Sequence, residues 1–354
     1  HGSLMDRSRP LSETNVIEGL HDGRFAIFSK VHHALFDGVA ATREARKALS
    51  EDPDERDMPP PWARPRAQRE RDDSLLADPD STMTALAKSL RMNYRIIPGA
   101  ARGLKDLLRK SRHDLTDATP YQAPPTMFNV RISSSRRFAA QSFSLARIKK
   151  VGKASGATIN DIALAMCAGA LREYLIAHNA LPEEPLISMV PVSVRAADGP
   201  EGGNQVAVIL ANLGTQIEDA AQRLETIVAS TRRAKERAAQ MNRVEQMAYA
   251  AAALSPMAVT SLVGLDRFRP AFNIVISNVP GPSKPLYWNG ARLDESYPVS
   301  IPIDGQALNI TLTSYCDRVA FGYTACRRSV PGMQRLLDFT ERALAELESA
   351  CGIA

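Results

Sequence analysis

Apolar and polar positions alternate over residues 24–31, Arg-Phe-Ala-Ile-Phe-Ser-Lys-Val, which predicts a β-strand. The pair His32-His33 ends that strand, Asp37-Gly38 makes the turn after it, and residues 39–50 predict a short helix. The pattern then breaks. Residues 51–82 hold six prolines and a high density of charge, so they bury little and predict a mobile loop. Helical period returns over 83–112, where Met83, Leu86, Leu90, Tyr94, Ile97, Ala101, Leu104 and Leu108 recur three or four apart; Pro98 predicts a kink or split.

Pro120, Pro124 and Pro125 mark a linker, and a second domain starts near Asn129. It opens with a strand near 138–145. Thr158-Ile159-Asn160-Asp161 has the form of a helix N-cap with an acidic residue three on, and the helix it starts runs to about residue 178. Further strands are predicted near 186–192, 206–213, 273–278, 308–314 and 319–324, with long helices at 217–254 and 332–350. No regular strand–helix–strand repeat appears. The order predicts a mixed α/β (α+β) protein with sheet-and-helix layers, not a doubly wound parallel sheet.

Composition narrows the class. At 354 residues the chain suits two domains, and 44% hydrophobic with 23% charged residues is ordinary for a soluble globular protein. Aromatics are only 6%, which leaves Leu, Ile, Val, Ala and Met to build the core. A net charge of +5 suits an anionic lipid or a phosphorylated cosubstrate and does not indicate nucleic acid. Cys167, Cys316, Cys326 and Cys351 form no Cys-x-x-Cys pair and have no His at zinc spacing, so a reduced, cytoplasmic setting and no metal are expected. No apolar run is long enough to span a bilayer, and His1-Gly2-Ser3 does not read as a signal peptide. Within 83–112, eight basic residues face the single acid Asp106, so a basic amphipathic segment able to lie on an anionic membrane is one expectation; a core-packed helix with a solvated basic face is the other.

Of six histidines, only His32 and His33 have suggestive neighbours. Adjacent strand residues point to opposite faces, which argues against one metal ion taking both rings. Neutral imidazole, with a pKa near about 6.5, can accept a proton near neutral pH, as an alcohol attacking a thioester requires. Asp37 can fold back to hold the loop, and Gly38 permits the backbone angle. A satisfied core histidine beside an Asp-Gly turn is the competing reading. The chain has no Gly-x-Ser-x-Gly elbow, no glycine-rich phosphate loop and no cysteine in an obviously activating setting, so direct transfer between two bound substrates is the simpler scheme.

Val31-His32-His33-Ala34-Leu35-Phe36-Asp37-Gly38 contains a segment that resembles the HHxxxDG motif of the CoA-dependent acyltransferase superfamily. Flanking segments resemble the bacterial wax ester synthase/diacylglycerol acyltransferase family: Asp6-Arg7-Ser8-Arg9-Pro10-Leu11; Ala123-Pro124 to Asn129 with Ser134 and Arg136-Arg137; Asn160-Asp161; Pro191-Val192-Ser193-Val194-Arg195; and Ser277-Asn278-Val279-Pro280-Gly281-Pro282. Ser12 stands where the family usually has Trp.

The resemblance implies two chloramphenicol-acetyltransferase-like domains with a substrate tunnel between them. Residues 1–118 are then the remainder of the N-terminal domain, 119–136 the linker and 137–354 the C-terminal domain. It implies His33 as general base and His32 as a structural or pocket-shaping residue. Asp37 and Gly38 would order the loop, with Arg195 as the partner of Asp37. Asn160 would serve near the oxyanion, with Asp161, Asn278, Pro280 and Gly281 supporting the site. Acyl-CoA would be the cosubstrate with no further cofactor, a long-chain alcohol or diacylglycerol the acceptor, and wax esters or triacylglycerol the products. A cytoplasmic protein attached at the inner membrane or lipid inclusions is expected. Two alternatives stay open: a related condensation-type enzyme with a carrier-bound donor, and an inactive acyl-CoA or lipid-surface binding protein. Family members carry a further stretch before Asp6, so the N-terminal half is expected to show unpaired sheet edges, or edges covered by that segment or by a second copy.

Overall fold

The computed structural model describes residues 2–3, 5–33, 35, 38–60, 118–193, 206–241, 245–246, 249 and 269–353. The segment 83–112, together with Asp37 and Arg195, lies outside the described residues.

The N-terminal part is a two-stranded antiparallel ribbon, β1 (Ser12–Ile17) on β2 (Ala26–Val31), followed by α1 (Gly38–Lys47). The alternation read over 24–31 is β2, where every second residue is partly covered. Its partner β1 escaped the sequence reading because Ser-Glu-Thr-Asn-Val-Ile lacks that alternation. Among the described residues the ribbon has no third strand, and Val16, Ile17, Phe25, Ile27 and Val31 are exposed on it.

The larger part is built on a six-stranded mixed sheet. Its strands are β3 (Arg136–Ser144), β4 (Ile187–Ser193), β5 (Val206–Asn212), β6 (Ile274–Val279), β9 (Leu308–Tyr315) and β10 (Arg318–Cys326), in the order β3-β10-β9-β6-β4-β5. β6 runs parallel to both β4 and β9, and the outer pairings are antiparallel. A two-stranded hairpin of β7 (Tyr287–Trp288) and β8 (Ala291–Arg292) stands apart from this sheet. The helices are α2 (Leu145–Ser155), α3 (Ile159–Ala177), α4 (Ala220–Gln240) and α5 (Arg335–Ala350). This is the mixed α/β class the element pattern predicted.

α3 is the core helix, buried continuously from Asp161 to Leu171. A helix apolar all round must lie between layers. Gly169 lets α5 approach: a Cβ there would lie 2.7 Å from the Cβ of Ala343. α2 was not predicted. It is held by the Ser144 cap, by left-handed Gly156, and by Arg147, whose guanidinium meets Glu348 at 2.7 Å and Glu341 at 2.6 Å on α5. The single long helix expected over 217–254 is corrected: α4 stops at Gln240, and Met241 caps it in an extended conformation. Among the described residues no single helix is long and apolar enough to cross a membrane.

The expected linker is fastened to the sheet by two asparagines. Asn129 Nδ2 donates to the carbonyls of Phe272, Asn273 and Gly305. Asn273 accepts from Ile187 N–H at 2.8 Å and donates to the Pro124 carbonyl at 2.6 Å and to Asn129 Oδ1 at 2.9 Å. A fully satisfied buried polar network of this kind fixes one chain path, because any shift strands a buried donor or acceptor.

Candidate active site

The histidine pair sits where the ribbon ends. β1 pairs Ser12 with Val31, and the next residue continues the contact: His32 N–H donates to the Leu11 carbonyl at 2.9 Å. The Asp6–Leu11 segment therefore lies beside the histidines. It is folded on itself, with Ser8 donating to Asp6 through both N–H and Oγ and Arg9 paired with Asp6 at 3.3 Å. These Ser8 hydrogen bonds hold the Asp6 carboxyl below its usual range. The chain then turns, Leu35 N–H donating to the His32 carbonyl at 2.9 Å. His32 is half-buried and His33 is exposed. Both lie past the end of β2, with His33 in the turn, and its exposure leaves the ring accessible to a second molecule.

Gly38, the last residue of the motif, opens α1 and packs against the end of β6. A Cβ on Gly38 would lie 3.3 Å from Val279 Cγ2. Val279 is followed by the turn Pro280-Gly281-Pro282 and preceded by Asn278, whose Nδ2 donates to Asn160 Oδ1 at 3.5 Å, the long limit of a hydrogen bond. One end of β6 thus gathers the end of the His motif, the start of α3 and the turn after β6. Three segments that resemble the family's motifs meet at β6: Gly38 on Val279, and Asn278 on Asn160. The turn is tightly seated, with Ser314 Oγ accepting from Gly281 N–H at 3.0 Å and Thr313 Oγ1 donating to the Val279 carbonyl at 3.0 Å. Pro280 is exposed.

The family model described as the wax ester synthase/diacylglycerol acyltransferase catalytic domain matches residues 1–163, and the WS/DGAT C-terminal domain matches residues 202–348. The chain belongs to the wax ester synthase/diacylglycerol acyltransferase family. It is 48% identical to a probable diacylglycerol O-acyltransferase of Mycobacterium tuberculosis over 100% of this chain and 77% of that protein. It is 44% identical to the O-acyltransferase WSD of Acinetobacter baylyi, over 98% of this chain and 75% of that one. Among solved structures, the wax ester synthase/diacylglycerol acyltransferase from Marinobacter aquaeolei VT8 superposes with a TM-score of 0.75 at 45% identity, covering 99% of this chain and 75% of that chain.

Within this acyltransferase, Asp161 is committed to holding α3. Thr158 and Asp161 form a capping box: the Thr158 side chain accepts from Asp161 N–H, and Asp161 Oδ2 accepts from Thr158 N–H at 3.1 Å and Thr158 Oγ1 at 2.6 Å. Its other oxygen accepts from Thr231 Oγ1 of α4 at 2.8 Å. With three donors on its two oxygens and its side chain buried, this carboxylate holds the start of α3, and with it the neighbouring Asn160.

One cysteine does stand in an activating setting, contrary to expectation. Burial pushes the Cys326 thiol up, but hydrogen bonds from Ser329 and Ser133 outweigh it and bring the thiol down to about 6. Cys326 has no exposed surface, so it is closed to an incoming acyl group. Cys167, buried in α3, is pushed the other way by burial alone.

The sequence reading missed Asn289-Gly290, the turn of the β7–β8 hairpin, which touches the segment after α1. The Asn-Gly pair next to Tyr287-Trp288 was a usable hairpin signal.

Proposed function

We propose that this acyltransferase moves a long-chain acyl group from acyl-CoA to a fatty alcohol or diacylglycerol in one direct step, with His33 as general base. The observation that carries the reading is the exposed His33 leading into a loop whose last residue, Gly38, is seated on the β6 end beside Asn278 and Asn160. The His33 imidazole takes the hydroxyl proton as the alcohol oxygen attacks the thioester carbonyl. Asn160 and Asn278 supply amide donors for the oxyanion; one such donor is worth about 3 kcal/mol of barrier. The C–S bond then breaks, the imidazolium returns the proton to the CoA thiolate, and ester plus free CoA leave. Asp37 and Arg195 act in this reading as the loop-ordering pair. The names of the Mycobacterium and Acinetobacter relatives support O-acyl transfer as the reaction class.

The test supplies palmitoyl-CoA with hexadecanol or with dioleoylglycerol and follows free CoA and neutral lipid. Wax ester or triacylglycerol formed with matching CoA release is expected. Tight acyl-CoA binding without turnover would leave an acyl-CoA binding protein, and turnover only with a carrier-bound thioester would leave a condensation-type enzyme; either result sinks the proposal.

We further propose that the basic segment 83–112 holds the enzyme at an anionic lipid surface, such as the inner membrane or a lipid inclusion, where its water-insoluble product is released. Arg102, Lys105, Arg109 and Lys110 are the groups to neutralise. At about 1 kcal/mol per basic residue near such a surface, converting all four to Gln lowers the partition coefficient onto phosphatidylserine vesicles by up to about a thousandfold, read as loss of co-sedimentation. Equal binding by parent and variant removes the segment as an anchor.

A further inference from the structure

The motif loop and the Asn160–Asn278 pair belong to different parts of the fold, so something must set the distance between them. Gly38 on Val279 is one contact. The other lies at the far end of α1, where the chain runs as a strap from Ser50 to Met58 along the β7–β8 hairpin.

The attachment is made at several points. Ser50 and Tyr287 exchange two backbone hydrogen bonds of 2.9 and 2.8 Å. Glu51 pairs with Lys284 at 2.9 Å and with Arg46 of α1 at 3.1 Å. At the hairpin tip, Asn289 Oδ1 accepts from Met58 N–H at 2.8 Å, while Asn289 N–H points at Met58 Sδ at 3.3 Å and Nδ2 at the Met58 carbonyl at 3.4 Å. Met58 is buried there. Behind the strap, Phe25, one residue before β2, meets Trp288 edge-on with ring centroids 6.2 Å apart. The hairpin is itself rooted in the sheet: the Tyr315 hydroxyl of β9 accepts from Leu286 N–H at 3.0 Å and donates to the Leu293 carbonyl at 2.8 Å. The two residues of its turn, Asn289 and Gly290, have φ of 50° and 82°, both left-handed, as a tight two-residue hairpin with the right twist requires.

We propose that the β7–β8 hairpin is the clasp that positions the His motif for acyl transfer, with Asn289 as its positioning residue. Asn289 touches no reacting atom. It fixes Met58 and the strap; the strap fixes the C-terminal end of α1; α1 carries the motif loop at its N-terminal end. α1 is therefore held against β6 at its N-terminal end, through Gly38, and at its C-terminal end by the hairpin that Tyr315 of β9 anchors. Catalytic groups need placement to within about 0.5 Å, so a strap released at Met58 costs rate more than binding. The clasp rests on the reading that the motif loop carries the reacting proton. The two fail separately, because His33→Ala tests the base and Asn289 variants test the placement.

Two substitutions isolate the Asn289 acceptor from its turn. Asn289→Gly keeps the left-handed backbone without strain and removes the acceptor. Asn289→Asp keeps both, since Asp also tolerates positive φ. In the palmitoyl-CoA assay, Asn289→Gly is expected to lower kcat about tenfold with KM for acyl-CoA within about twofold, because a displaced reacting group loses transition-state contact and not ground-state binding. Asn289→Asp is expected to restore most of kcat. Parental kcat in Asn289→Gly, equal losses in both variants, or a raised KM at unchanged kcat would each overturn the clasp.

Discussion

His33→Ala is expected to lower turnover about 10²–10⁴-fold, the range general-base assistance supplies. The side chain is exposed at the exit of β2, so its loss leaves no buried cavity and folding is expected to survive. If His33 is the base, KM for acyl-CoA should change little, because an imidazole acting on the alcohol proton gains that interaction only in the transition state. His32 gives the contrast. It is half-buried, and its backbone N–H carries the link to Leu11, which any residue but proline retains. Steady-state rates of the two alanine variants, with circular dichroism to establish folding, decide the matter. A folded His33→Ala variant working near the parental rate would end its assignment as the base.

The second large effect is expected from Gly281→Ala. A Cβ at Gly281 would lie 1.9 Å from the Ser314 carbonyl oxygen and 3.1 Å from its carbon. Both are main-chain atoms of β9, so no side chain can swing aside. Ser314 is tied in from both sides, with Oγ accepting from Gly281 N–H and β9 paired to β6 and β10. The turn must therefore lift off the sheet. Overpacking at this level costs about 3 kcal/mol, toward the upper end of the usual range. The shift passes to Asn278, three residues earlier, and so to its contact with Asn160. About a tenfold loss of kcat in the remaining folded enzyme follows if that pair faces the developing oxyanion. Urea unfolding and assay at a temperature well below the transition separate the two losses. Stability within about 0.5 kcal/mol of the parent, as for an ordinary surface change, would show that the turn has room the geometry denies.

Where sequence and structure part, the reason is usually distance along the chain. The capping box at Thr158–Asp161 was readable because all its partners lie within four residues. The third partner of that carboxylate, Thr231, is seventy residues away and left no local mark. α2 was overlooked because eleven residues with Ile148 and Val151 as the buried apolar pair give a weak period, and its anchor to α5 through Arg147 is long-range. The overlong helix at 217–254 shows the opposite failure: helical composition continued past Gln240 and nothing in the local pattern marked the stop. Cys326 looked inert in sequence because one of the two serines that lower its thiol, Ser133 before β3, lies 193 residues away; the other, Ser329, is only three residues on.

By itself the sequence determined the mixed α/β class, most of the sheet strands, the motif with His33 in it and the family those residues resemble. These depend on periods, caps and ordered short segments, all of which are written locally. Only the tertiary structure decided what the segments do to one another: that Gly38 lies on Val279, that Asn278 reaches Asn160, that Asp161 also takes Thr231 of α4, and that the Asn289 hairpin grips the strap behind α1. Each is a contact between positions far apart in the chain. Such contacts are fixed by how whole layers pack and by which buried donors find acceptors, and a linear pattern of residues does not encode either one position at a time.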